Sequence, residues 1–305
     1  AKGSDSKEIM AAIEDLEAGG STAGSEGIKT AYEIAGKYFK ADGNNRVILA
    51  TDGDLNVGIT SEGELTRLIK KEKESGVFLS VLGFGTENIK DNKMEALADN
   101  GNGNYSYIDS RFEAKKVLSE ELGANFFTVA KDVKFQLEFN PKFIKGYRLI
   151  GYENRIMDDE DFKDDTKDGG EIGSGHRVTV LYEIVDNDSP MEIGSDLKYQ
   201  TAASNDSNDL LNIAVRYKET DSETSKELNY PVTTESIKTE MSDNMKFAAA
   251  VAETGMLLRD SEFKGKSSYD SVVSLLDSIP DIKNDTSKLE FLLLVKKMAT
   301  LVKEK

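Results

Sequence analysis

Apolar residues recur at two different periods along the chain, and the change of period divides it. Between Asp5 and Leu16, the residues Ile9, Ala12, Ile13 and Leu16 fall at helical spacing, with Asp5 and Glu8 placed as a capping-box pair. Gly19 and Gly20 stop that helix. A second helix is predicted from about Ser25 to Phe39, with Ile28, Ala31, Ile34, Ala35 and Tyr38 on one face. Arg46-Val-Ile-Leu-Ala-Thr51 then runs apolar without alternation, the mark of a parallel strand buried on both faces. The pattern repeats. Ser61 and Glu64 open a helix to about Ser75, Val77–Leu82 reads as a second buried strand, and Lys93–Ala98 is helical. Asn104–Ile108 is a third strand, and Ser110 with Glu113 opens a helix reaching about Phe127. Strands alternating with helices over short linkers predict a parallel sheet with covering helices.

The period shortens to two near Lys131. Val133, Phe135, Leu137 and Phe139 alternate with Lys134, Gln136 and Glu138, which predicts a half-exposed strand with the lysine outward. The alternation returns at Tyr147–Tyr152, at Val178, Val180, Tyr182 and Ile184, and at Ile213, Val215 and Tyr217, with Tyr199 and Thr201 in a further candidate. Strands without intervening helices predict an antiparallel sandwich-like domain. From Ser242 the helical period resumes: Phe247, Val251, Thr254 and Leu258 share a face. Ser267 opens a helix through Val272, Leu275 and Leu276 that stops before Pro280, and Ser287 with Glu290 caps a last one carrying Phe291 to Leu301. The expected fold class is α/β: a partial Rossmann-like parallel sheet with helices over about 1–128, an antiparallel β domain over about 129–235, and a helical segment over about 236–305.

Composition sharpens this. At 305 residues the chain has room for roughly two or three domains. It has no cysteine, which excludes disulfides, Cys-ligated zinc and thiol catalysis, and a single His, His176, which argues against a His-cluster metal site or a His-based triad. Its net charge of −17 repels phosphate backbones and suits a cation or a basic partner. No apolar run approaches the ~20 residues of a membrane helix. Ala1 is not a start Met and no signal peptide is visible, so the chain reads as an excised or processed piece.

Two short motifs bear on chemistry. Thr51-Asp52-Gly53-Asp54 stands at the carboxyl end of the first apolar strand, where ligands of open α/β sheets gather. Read by position alone, Asp52 and Asp54 serve equally well as turn formers around Gly53. Gly19-Gly20-Ser21-Thr22 delivers two hydroxyls to a helix start, suited either to a hard cation or to ordinary N-capping.

Together these strings resemble a known family. Gly-Gly-Ser-Thr22-Ala-Gly, Asn-Asn-Arg-Val-Ile-Leu-Ala-Thr-Asp52-Gly-Asp, Ser-Val-Leu-Gly-Phe-Gly85 and Gly-Asn-Gly-Asn-Tyr105 resemble, in order and spacing, the second half of a von Willebrand factor type A domain. Ala130-Lys-Asp-Val-Lys, Glu138-Phe-Asn-Pro141, Tyr147 to Arg155, Asp164-Asp-Thr and Gly173-Ser-Gly-His176 are similar to the C-terminal extension of bacterial proteins carrying that domain. The resemblance implies a non-catalytic protein-binding, adhesion-type module. Its metal-ion-dependent adhesion site would take Mg²⁺, Mn²⁺ or Ca²⁺, with Thr22 as the second-loop ligand, Asp52 as the third-loop ligand, and an acidic side chain of a protein partner completing the shell. It also implies an extracytoplasmic or envelope location, with the cytoplasm left open.

The family's Asp-x-Ser-x-Ser is missing. Ser4-Asp5-Ser6 fails its spacing and opens a helix. On this reading the N-terminal part of the domain is absent, three of five metal-site side chains are lacking, and the chain alone binds no Mg²⁺ at physiological levels. The Arg46–Thr51 strand then becomes an edge, to be completed by a separate N-terminal fragment or by self-association. A metal-free structural or scaffolding fragment is the alternative. A second alternative takes Asp52 and Asp54 as nucleophile and acid of a haloacid-dehalogenase-like phosphatase, against which Asn56 replaces the usual Thr or Val. The acidic run from Met157 to Glu171 reads as a solvated loop with at most weak Ca²⁺ association, since Gly175 stands where a calcium loop wants Glu. Gly83-x-Gly85 lacks the third glycine of a dinucleotide fingerprint, and His176 reads as a strand-edge residue.

Overall fold

The computed structural model describes residues 2–17, 24–53, 62–86, 90–152, 155–191 and 207–303. Two compact units divide the chain: Ala1–Lys134 with Asp168–His176 and Arg216–Lys226, and Phe135–Lys167 with Arg177–Val215 and Glu227–Lys305.

The first unit is built on a parallel sheet. β1 (Arg46–Thr51), β2 (Phe78–Gly83) and β3 (Tyr105–Tyr107) lie in the order β1-β2-β3. Leu49 is in register with Val81, and Val81 with Tyr105. The helices α1 (Ser6–Glu14), α2 (Gly24–Lys37), α3 (Glu62–Lys73) and α4 (Asp91–Asn100) alternate with them as the periodicity predicts. Ile28 and Tyr32 of α2, Leu65 and Ile69 of α3, and Met94 and Leu97 of α4 bury one face of the sheet, against Val47, Leu79 and Val81. The other face is covered at β2 and β3 by Leu82, Ile108 and Val117 packed with Ala114. Gly103 sits where a Cβ would stand 1.9 Å from the Leu79 carbonyl oxygen, so only glycine lets this turn lie on β2.

The helix expected over about 110–127 is broken. It runs as α5 (Arg111–Lys115), a π-helical turn over Lys116–Glu120, and α6 (Leu122–Phe126). Ser110 caps it as expected, its Oγ accepting from the Glu113 amide at 3.1 Å. The Asp5–Glu8 capping box does not form; Asp5 instead accepts from the Lys2 amide at 3.3 Å. Ser61 lies outside the described residues.

After α6 the strands lengthen. β4 (Thr128–Phe139), β6 (Gly170–Gly173), β8 (Asp209–Glu219) and β9 (Ser225–Thr233) form a sheet of order β6-β4-β8-β9, while β5 (Ile144–Ile150) and β7 (Leu181–Asp186) pair antiparallel as a ribbon. β6 is too short to carry a period, and β9, which alternates Leu228, Tyr230 and Val232 with its other residues, is not among the strands expected above. β6 is four residues bounded by glycines, and β9 is an edge strand, mostly exposed and containing Pro231. The expected strand around Tyr199 lies outside the described residues. Within the second unit Phe139 stacks on Tyr147 at 4.3 Å between ring centroids, with Tyr182 beside them.

The alternation in β4 is inverted at one point. Lys134 is 3% exposed and Phe135 48%, the reverse of the pattern's expectation. Asp132 takes a left-handed backbone (φ 53°), and the register with β6 shifts between Ala130 and Val133. A bulge of this kind turns the side chains beside it to the opposite face, and the inversion is local, since Glu138 is again exposed and Phe139 half-buried.

The second unit closes on α7 (Asp243–Leu258), α8 (Tyr269–Asp277) and α9 (Thr286–Lys303), which bury Ala250, Val272, Leu276, Leu292 and Val295 together. Ser268 and Ser271 cap α8 reciprocally. α9 is opened by Asp285, which accepts from the Lys288 amide at 3.1 Å, and not by Ser287. Among the described residues no helix is long and apolar enough to cross a membrane.

Candidate functional site

Parallel strands point their carboxyl ends the same way, so β1, β2 and β3 bring Thr51–Gly53, Gly83–Gly85 and Tyr107 to one rim. The sheet extends one step into it: the Phe84 amide donates to the Thr51 carbonyl at 2.9 Å. The chain then turns sharply. Gly53 (φ 84°) and Gly85 (φ 103°) hold left-handed conformations, and the Gly53 amide donates to Thr51 Oγ1 at 3.0 Å.

Asp52 is exposed on this rim. A Cβ on Gly85 would stand 3.7 Å from the Asp52 Cβ, so the β2 turn borders the carboxylate directly. The Tyr107 hydroxyl donates to the Gly85 carbonyl at 2.6 Å and fixes that turn from the β3 side. Tyr105 bonds Asp91 at the start of α4; burial, then that carboxylate, raise its hydroxyl well above the ordinary range. The rim therefore places the Asp52 carboxylate above a firmly built floor. Thr22 and Asp54 lie outside the described residues, and with them the expected approach of Thr22 to Asp52.

A divalent cation of the Mg²⁺ kind asks for about six oxygens in a tight shell. Among the described residues no group of three or more His, Asp or Glu side chains is placed to hold a metal ion. The donors described at this rim do not fit such an ion by themselves.

The other sequence candidates resolve locally. In the acidic run, Asp164 Oδ1 accepts from the amide and hydroxyl of Thr166, and Lys167 pairs with Asp161 at 3.3 Å, so these carboxylates serve the loop's own turns. His176 follows the end of β6, exposed, its amide donating to the Gly173 carbonyl.

Sequence reasoning missed a second polar centre in the same unit. Asp132, 7% exposed, is paired with Lys218 at 2.9 Å and Lys134 at 3.4 Å. Arg46 lies between the rings of Phe78 and Phe126 and donates to Ser80 Oγ at 2.6 Å; burial lowers its guanidinium to about 10. Glu171 on β6 is raised to about 8, mainly by burial and then by Asp168. Lysines at polar phases of an alternating strand carry no signal of burial, so only the bulge at Asp132 reveals this group.

Residues 1–121 match the family model described as von Willebrand factor type A domain, and that match begins at residue 1, giving no support to the expectation that the domain's N-terminal part is absent. Residues 124–301 match the model described as Uncharacterized protein YfbK, C-terminal. The Uncharacterized protein YfbK of Escherichia coli (strain K12) is 42% identical over 274 residues, which cover 88% of this chain and 47% of that protein. The chain thus spans about half the length of that relative. Among solved structures, von Willebrand factor type A from Catenulispora acidiphila is similar at a TM-score of 0.40 and 16% identity, over 97% of this chain and 68% of that one. The human COPII-coat protein Sec24c gives 0.34 and 13%, over 90% and 36%. The chain belongs to the YfbK C-terminal family and carries, ahead of that region, a von Willebrand factor type A domain.

Proposed function

We propose that the chain is a non-catalytic protein-binding module whose binding face is the rim at Asp52, and that the apolar edge at β1 docks a strand of a protein partner or of a second copy. The observation that carries this reading is the state of β1. Among the described residues it has one strand neighbour, β2. Ile48 is 51% exposed although it lies in an apolar parallel strand. Ile34, Tyr38 and Phe39, at the end of α2 and just beyond it, are exposed as well, and α1 buries none of its residues. An apolar edge strand is a template for another strand, and exposed apolar side chains gathered beside it favour an interaction site.

The family's cation, Mg²⁺, Mn²⁺ or Ca²⁺, enters this proposal only through Asp52 and Thr22, one carboxylate and one hydroxyl of the about six oxygens such an ion asks for. The chain by itself is expected to show no Mg²⁺ site tighter than ~1 mM in calorimetry. A tighter site that vanishes in Asp52→Ala would overturn the incomplete-site reading. The same poverty of donors favours, as a second reading, a metal-free scaffold.

The two readings separate at β1. The chain has no cysteine, so Ile48→Cys introduces a unique thiol. In the assembled state this thiol should react slowly with a maleimide, and light scattering should show an oligomer or a second polypeptide. A strictly monomeric chain with a freely reactive thiol would refute docking at β1. No turnover of an aryl phosphate is expected.

A further inference from the structure

Three charged side chains of the first unit meet away from water. Asp132 and Lys134 stand on β4, and Lys218 on β8, the strand beside it. Their side chains are 8%, 1% and 9% exposed. Lys218 Nζ lies 2.9 Å from Asp132 Oδ2, and Lys134 Nζ lies 3.4 Å from Asp132 Oδ1. Among the described residues no hydrogen-bond donor reaches Oδ1. The bulge at Asp132, with its left-handed backbone (φ 53°), turns Lys134 inward beside the carboxylate.

The neighbouring charges leave Asp132 as the carboxylate that both lysines share. Glu223 senses Lys218 but is exposed and held by Lys131 at 2.7 Å. Glu171 on β6 lies within electrostatic reach of Asp132, and has Arg46, Lys73 and Asp168 in reach as well. An ion pair buried in this way gives up the hydration of both charges, and mutual attraction repays that loss poorly. An amide in its place carries no charge. A fold that keeps amine and carboxyl in contact also replaces a bimolecular encounter by a positioned one.

We propose that Lys218 and Asp132 condense to an amide cross-link that joins β8 to β4. Across the 2.9 Å contact, Nζ passes a proton to Oδ2. The nitrogen lone pair then forms the bond to Cγ, the Cγ–Oδ2 bond breaks, and Oδ2 takes a second proton from the nitrogen and leaves as water. One ammonium and one carboxylate thus become one amide and one water, with no oxidant or co-reactant. Lys134, 3.4 Å from Oδ1, stabilises the negative charge that gathers on this oxygen in the tetrahedral intermediate. The finished amide keeps Oδ1 as its carbonyl oxygen, still facing Lys134.

Denaturing mass spectrometry of the intact chain reads the cross-link without any variant. The chain should weigh one water less than its sequence, and a protease digest should contain a branched peptide joining Asp132 to Lys218. Lys218→Arg keeps a cation beside Asp132 and should restore the full sequence mass, with the circular dichroism of the folded chain unchanged. The branched peptide also separates this loss of water from succinimide formation at an Asp-Gly step such as Asp168-Gly169. A chain of full sequence mass, or a loss of water that persists in Lys218→Arg, overturns the cross-link.

Discussion

β1 and β2 are neighbours with nearly the same sequence character, and they end in different environments. Both are six residues long, both read as continuous apolar runs, and they pair in parallel without a break in register. In β2 every residue after Phe78 is buried, and Val81 has no exposure at all. In β1 only Val47 is buried, and Ile48 and Ala50 stand open on the face where Leu82 is covered by Val117 and Ala114. Hydrophobic pattern therefore does not by itself fix burial: among the described residues β1 is covered less than β2. The contrast separates residues already buried in the chain from residues that the proposed docking at β1 would bury.

The sharpest way to break the comparison is at β2. Leu79 has no exposure and packs among Val47, Leu65, Ile69 and Leu97. Leu79→Ala should lower unfolding stability by about 2–5 kcal/mol, because it removes buried methyl groups and leaves a cavity that close packing cannot fill. Thermal or urea unfolding followed by circular dichroism measures it. A loss under about 1 kcal/mol would mean that β2 is no better packed than β1.

The elements of this comparison were legible in the sequence to different degrees. The β1 bounds, the order of strands and helices up to α6, and the helical C-terminal segment follow from period alone, because one-sided or two-sided burial writes itself into the spacing of apolar residues. What escaped was long-range. The inversion at Lys134 depends on a left-handed Asp132 and on its partner Lys218, far along the chain. β6 is too short and too rich in glycine to carry a period, and β9 alternates Leu228, Tyr230 and Val232 but is interrupted by Pro231 and stays mostly exposed at the sheet edge. At the candidate site, the position of Asp52 at a strand's carboxyl end was readable; the fixing of its floor by Tyr107 and Gly85 was not, since a hydroxyl-to-carbonyl bond across two strands leaves no trace in spacing.

A smaller effect tests what covers β2 on its second face. Ser110 opens the run that carries Ala114 and Val117 over Leu82 and Ile108. Ser110→Ala removes the side-chain acceptor of the Glu113 amide and should cost ~1 kcal/mol of stability. Ser110→Asp should recover most of it, since aspartate caps as well as serine and its charge favours a helix start. If both variants cost the same, the cap is not what positions this cover, and the π-helical turn after it must hold the segment through the Asn125 bond to the Val117 carbonyl.

The smallest effect is expected at Ile48, and it bears most directly on the contrast. A side chain already half in water has little burial to lose, so Ile48→Thr should change the stability of the isolated chain by no more than about 0.5 kcal/mol. Threonine keeps the β-branch that suits a strand, which leaves the backbone of β1 undisturbed. The same substitution places a hydroxyl where an added strand and its cover would bury an isoleucine, and burying a hydroxyl without a partner is costly. Association measured by light scattering or by dilution should therefore weaken by roughly tenfold or more while the melting of the dissociated chain stays put. If Ile48→Thr instead destabilises the isolated chain as Leu79→Ala does, β1 is already covered, and the two strands differ in nothing but appearance.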